Sequence, residues 1–75
     1  MTPQILDLKG LKCPLPALKA RKALKSVAAG GALQVICTDP MAAIDIPNLI
    51  RETGDALVSQ AANDGVLTFV IRKAG

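Results

Sequence analysis

The sequence contains no tryptophan, tyrosine or histidine, and its one aromatic residue is Phe69. Without histidine, the usual general base of nucleophilic hydrolases is missing, as is the commonest neutral metal ligand. Without a set of aromatics there is no platform on which nucleic-acid bases could stack. No apolar run approaches the roughly 20 residues that cross a bilayer as a helix, so no membrane insertion is expected. Cysteine is scarce, with Cys13 and Cys37 only. Two cysteines cannot close a zinc site, and these two lie far from C-x-x-C spacing, which argues against thioredoxin-type disulfide exchange. No metal and no cofactor is called for. Free thiols with no secretory leader point to a reducing compartment, and a cytoplasmic location is the expectation.

What is present suits a small α/β unit. The 75 residues are expected to form a single domain over 1–75, near the lower limit for folding without staples. Half of them are hydrophobic (51%), enough for a modest core. The net charge of +3 is unevenly spread. Lys9, Lys12, Lys19, Arg21, Lys22 and Lys25 face a single acid, Asp7, in the first 25 residues, whereas the remainder is net acidic. A basic first third would attract an acidic surface.

Turn and periodicity signals divide the chain. Residues 4–8 read as a strand before Lys9-Gly10. Pro14 and Pro16 open a helix, because proline's missing N–H has no intrahelical partner in the first turn, and Gly30-Gly31 would stop it near Ala29. Ala17, Ala20, Leu24 and Val27 share one face of that helix, while Leu15 and Leu18 fall among the charges. Residues 32–38 form a strand with Leu33, Val35 and Cys37 on one face. Asp39-Pro40 ends it. A second helix reaches Thr53-Gly54, with Asp45 as its cap and Pro47 in its first turn, or else with a start nearer Met41. Its inner stripe is Ile46, Leu49, Ile50 and Thr53. Residues 56–62 and 66–72 are strands joined across Asn63-Asp64-Gly65, a hairpin signal.

The resulting order is β-α-β-α-β-β. Right-handed crossovers put both helices on one face of a four-stranded mixed sheet, a two-layer α/β sandwich. The first two strands are then parallel neighbours, so the loops that follow them meet at one edge, where sites form in open α/β sheets. Cys13 and Asp39 are expected there together.

Cys13 is the candidate reactive group. It precedes a helix N-terminus, whose free N–H groups and dipole favour thiolate, and Lys12 acts in the same sense. Gly10 gives the loop its turn, and Pro14 and Pro16 stiffen it, although both prolines also remove N–H donors. Asp39 is expected to cap or brace the neighbouring loop, since a carboxylate aimed at the sulfur would oppose thiolate formation. Cys37, on the core face of a strand, reads as a small hydrophobe. With no adjacent base, acyl transfer is poorly supported. Accepting a sulfur atom from a persulfide needs only an accessible thiol and a docking surface, for which Leu15, Leu18, Lys19 and Lys22, with Lys12, are the candidates.

At these residues the chain resembles the TusA/SirA family of sulfur-carrier proteins. Leu6-Asp7-Leu8-Lys9-Gly10-Leu11-Lys12-Cys13-Pro14-Leu15-Pro16 is similar to the family's strand, glycine and Cys-Pro-x-Pro signature. Thr38-Asp39-Pro40, Asp45-Ile46-Pro47 and the tail from Phe69 to Lys73 resemble its later landmarks. The resemblance implies a fold like the C-terminal domain of translation initiation factor three. It also implies that Cys13 receives a persulfide from a cysteine desulfurase or rhodanese-like donor and passes it to an acceptor protein in a sulfur relay. Such relays include tRNA 2-thiouridine synthesis and sulfur oxidation. The protein would be a carrier rather than an independent turnover enzyme, monomeric so as to change partners, and without direct nucleic-acid contact. The alternatives are a small basic RNA-binding module, which the single aromatic and small net charge oppose, and a regulatory thiol switch.

Overall fold

The computed structural model describes residues 4–74. The elements are β1 (Gln4–Leu8), α1 (Leu15–Leu24), β2 (Ala32–Cys37), α2 (Ala42–Thr53), β3 (Ala56–Asn63) and β4 (Val66–Arg72). The sheet order is β1-β2-β4-β3, with β1 parallel to β2 and the other pairs antiparallel. This is the two-helix, four-stranded mixed α/β fold expected from the turn signals and periodicities.

The core follows from alternation in the strands and stripes in the helices. Leu33, Val35 and Cys37 of β2 and Phe69 and Ile71 of β4 have no solvent exposure. Onto them pack Ala20 and Leu24 from α1 and Ala42, Ile46, Leu49 and Ile50 from α2. Each fully buried large aliphatic or aromatic side chain contributes about 1.5–3 kcal/mol, so a few such residues from each layer hold the helices on the sheet. No polar or charged residue is buried among those described. The β3–β4 hairpin turns on two residues, Asp64 and Gly65, both at positive φ (51° and 78°), with Asn63 and Val66 already paired. Its twist matches that of the flanking strands.

Two expectations about the helices are corrected. First, α1 ends at Leu24 rather than near Ala29. The chain tightens there into i→i−3 bonds, Lys25 N–H to Lys22 C=O, Ser26 N–H to Ala23 C=O and Val27 N–H to Leu24 C=O. Val27 is still delivered to the core, but by this tighter turn. Second, of the two starts considered for α2 the one nearer Met41 is found: the helix begins at Ala42, so Asp45 is not its cap and Pro47 lies inside it, beyond the first turn. The start is fixed by Asp39: its Oδ1 accepts the Met41 N–H (3.0 Å) and its carbonyl accepts the Ala42 N–H (3.0 Å). Pro47 offers no N–H to the Ala43 carbonyl, a local loss that the burial of Ile46, Leu49 and Ile50 around it offsets. Gly54 closes α2 at φ 82°, donating to the Ile50 carbonyl.

Candidate functional site

The parallel register pairs Leu8 with Cys37, the last residues of β1 and β2. The loops that follow therefore leave the same edge of the sheet, and Cys13 and Asp39 come together there. Gly10, at φ 86°, turns the first loop, a conformation that any side chain would strain. Its N–H donates to Thr38 Oγ1 (2.9 Å), tying the first loop to the second. Asp39 completes the tie: Oδ2 accepts the Cys13 N–H while Oδ1 accepts that of Met41. One carboxylate thus holds the Cys13 loop and starts α2. These two backbone donors, Cys13's first, hold the Asp39 carboxyl below its ordinary value, and the Lys12 charge adds to them.

The Cys13 thiol is exposed and Cys37 is buried. Cys13 Sγ donates to Asp45 Oδ2 at 2.8 Å. Asp45, one turn into α2, thus reaches across to the loop before α1 instead of capping its own helix. The effect on the thiol is opposite to that expected from the helix N-terminus. The bond to Asp45 stabilises the protonated thiol, desolvation adds to it, and the negative charges of Asp45 and Asp39 oppose thiolate further, so the Cys13 pKa is raised. The helix end has little to set against them. Pro14 and Pro16 carry no N–H, and the Leu15 N–H is taken by the Lys12 carbonyl (2.9 Å). Lys12, for its part, acts on Asp39 rather than on the sulfur.

A groove of about 280 Å³ runs from Cys13 between the helices. Pro14, Leu18 and Arg21 line it on the α1 side, and Asp45, Asn48 and Glu52 on the α2 side. Arg21 Nη2 meets Glu52 Oε2 across it at 2.7 Å. Both partners are about half exposed, so the bond contributes about 0–1 kcal/mol of stability. Its importance is that it occupies the one cation that lines the groove among the described residues.

Of the expected docking residues, Leu15 and Leu18 are exposed beside the thiol (43% and 56%). Lys19 and Lys22 are not in the groove. They line a separate depression on the other flank of α1, with Leu6, Ala23 and Ser26. Helical spacing explains the split, since Leu18 and Arg21 are three residues apart on one side and Lys19 and Lys22 three apart on the next. Sequence reasoning missed Asp45, Arg21, Asn48 and Glu52 as neighbours of the thiol. Asp45 stood inside a noted landmark, but an aspartate two residues before a proline is also a cap signal. Among the described residues no His/Cys/Asp/Glu group is arranged to hold a metal ion.

A sequence profile of the family described as Sulfurtransferase TusA matches residues 4–73. The chain belongs to the TusA family. It is 39% identical over 71 residues to the sulfur carrier protein TusA of Allochromatium vinosum, covering 95% of this chain and 93% of that one. It is 41% identical over 69 residues to the sulfur carrier protein TusA of Pseudomonas putida, covering 92% and 86%. In fold it matches the crystal structure of a SirA-like protein from Desulfitobacterium hafniense, with a TM-score of 0.80 over 95% of this chain and 97% of that one, at 23% identity. Among the described residues of this TusA-family chain no helix is long and apolar enough to cross a membrane.

Proposed function

We propose that the chain carries sulfur as a persulfide on Cys13, received from a cysteine desulfurase or a rhodanese-like donor and handed to an acceptor protein of a sulfur relay. The relay serves an end such as tRNA thiolation or sulfur oxidation. The observation that carries this reading is the setting of Cys13: an exposed thiol on a braced loop at the mouth of an open groove, in a family of sulfur carriers. Cys37, by contrast, is buried with no solvent exposure. The chemistry is an exchange in which Cys13–SH and a donor R–S–SH give Cys13–S–SH and R–SH. The Cys13 sulfur bonds to the terminal sulfur of the donor, the donor S–S bond breaks, and the proton lost by Cys13 is balanced by the one gained by the leaving thiol. No oxidant or reductant is consumed.

The raised pKa of Cys13 fits a carrier. Most of the free thiol stays protonated and slow to oxidise, while the thiolate that does form is the stronger nucleophile for having the higher pKa. A thiol cargo and two free cysteines suit a reducing, cytoplasmic setting, and an exposed groove used by successive partners suits a monomer. Incubation with a cysteine desulfurase and cysteine, followed by intact mass measurement, tests the reading. The protein should gain the mass of one sulfur atom, reversibly on reduction. Failure to gain it, or a gain that persists in Cys13→Ala, overturns the reading.

A further inference from the structure

The chain is basic, but the surface at its reactive sulfur is not. Asp45 and Glu52 line the groove, and Arg21, the one cation lining it among the described residues, is already paired with Glu52. Asp39 lies on the other side of the loop, with Lys12 near it. The charged groups around Cys13 are therefore Asp39 from the β2–α2 loop, Asp45 and Glu52 from α2, Arg21 from α1 and Lys12 from its own loop. Among the described residues three are acidic and two basic; Arg21 is paired with Glu52, and the charge of Lys12 acts on Asp39. Lys19 and Lys22 face another way.

We propose, resting on the reading of Cys13 as the sulfur acceptor, that Asp45 is a specificity-determining residue for the transfer. Its carboxylate, hydrogen-bonded to the thiol beside an open acidic groove, selects sulfur donors that bring a cationic group alongside the reacting sulfur.

The chemistry of the exchange gives the reason. As the new S–S bond forms, Cys13 loses its proton to solvent and negative charge passes through the reacting sulfurs to the leaving thiolate. Asp45 is 2.8 Å from the sulfur and Asp39 is bonded to the same residue's N–H, so that charge develops against two carboxylates. A lysine or arginine next to the donor's persulfide offsets both and pairs with Asp45, which frees the sulfur from its hydrogen bond. An acidic neighbour adds a third repulsion. Leu18 and Pro14, exposed on the α1 side, give the stem of such a side chain an apolar surface to lie on. The selection is thus built into the charge of the site, and partners lacking the cation are disfavoured at the step that matters.

Two synthetic peptides, each with one cysteine persulfide and flanked either by lysines or by glutamates, provide the test. Their transfer of sulfur to Cys13 is followed by intact mass at low ionic strength. The lysine peptide should load the protein about tenfold faster or more, the range in which charge complementarity changes encounter and reaction, and added salt should narrow the gap. In Asp45→Asn the gap should shrink several-fold, because the glutamate peptide gains the most from losing the carboxylate, while Asp45→Glu should keep it. Equal rates for the two peptides, or a gap that Asp45→Asn leaves untouched, overturn the role given to Asp45. Absence of loading from either peptide and from a desulfurase with cysteine would instead overturn the reading of Cys13 as acceptor, and this inference with it.

Discussion

The two thiols lie at the same edge of the sheet, and the contrast between them shows how position sets chemistry. Cys37 ends β2 on its core face with no exposure, and burial, with a smaller contribution from Asp39, pushes its pKa up to about 11. Cys13 lies in the loop that the same register brings alongside, open to solvent, and its pKa is raised mainly by one hydrogen bond from the thiol to Asp45. Both thiols are held protonated. Only the second restraint can be lifted from outside, because a partner can reach Asp45 and cannot reach the core. The restraint on Cys13 is therefore accessible from solvent, whereas that on Cys37 is not.

The largest expected effect separates the two residues by function. Cys13→Ser should abolish sulfur loading while changing stability by no more than about 0.5 kcal/mol, as for other exposed positions. Cys37→Ala should load normally and lose about 1 kcal/mol, the scale of one buried heavy group and its cavity. Denaturant titration and intact mass on the same two variants check both halves.

The next effect lies in alkaline stability. Cys37 has a folded value raised from 9.0 to about 11. A thiol raised in this way stabilises the fold fully below its unfolded value and loses that contribution as pH rises through the folded one. The protein should lose about 2–3 kcal/mol relative to Cys37→Ala between about pH 9 and 11, measured as the difference between their unfolding midpoints.

A smaller effect sharpens the Cys13 side. Asp45→Asn removes the carboxylate that restrains the thiol, so alkylation of Cys13 by a neutral reagent near neutral pH should rise several-fold. No change would show that Asp45 does not govern the thiol. The smallest effect is expected at the brace. Asp39, held below its ordinary value of 3.8, stabilises the fold above that pH and loses the contribution as pH falls through its folded value. Asp39→Asn should be slightly less stable at neutral pH and converge with the parent below about pH 4.

The strands, the parallel pairing of the first two and the meeting of the loops that follow them were legible in the sequence, because period-2 alternation in Leu33, Val35 and Cys37 and the glycine and proline punctuation are local signals. The end of α1 was not, since the Leu24 to Val27 turn keeps the core stripe while changing its hydrogen-bond pattern. Asp45 was read as a cap because Asp-x-Pro serves a helix start and a reach across to a neighbouring loop equally well. The choice was made by Asp39, 26 residues from the loop it holds. The same limit explains the lysines. Which side of α1 faces the thiol depends on how the helix is rotated on the sheet, and that is set by Ala20 and Leu24 packing rather than by the position of charge in the chain.

The central claim, that Cys13 is the sulfur-bearing residue, is tested most directly by locating the sulfur. After loading from a desulfurase and cysteine, the protein is alkylated and digested without reduction, and the fragments are sequenced by mass spectrometry. The account predicts one added sulfur on the fragment that begins at Cys13 and runs to Lys19, with none on the fragment carrying Cys37. Sulfur on Cys37, or on neither fragment, would contradict it.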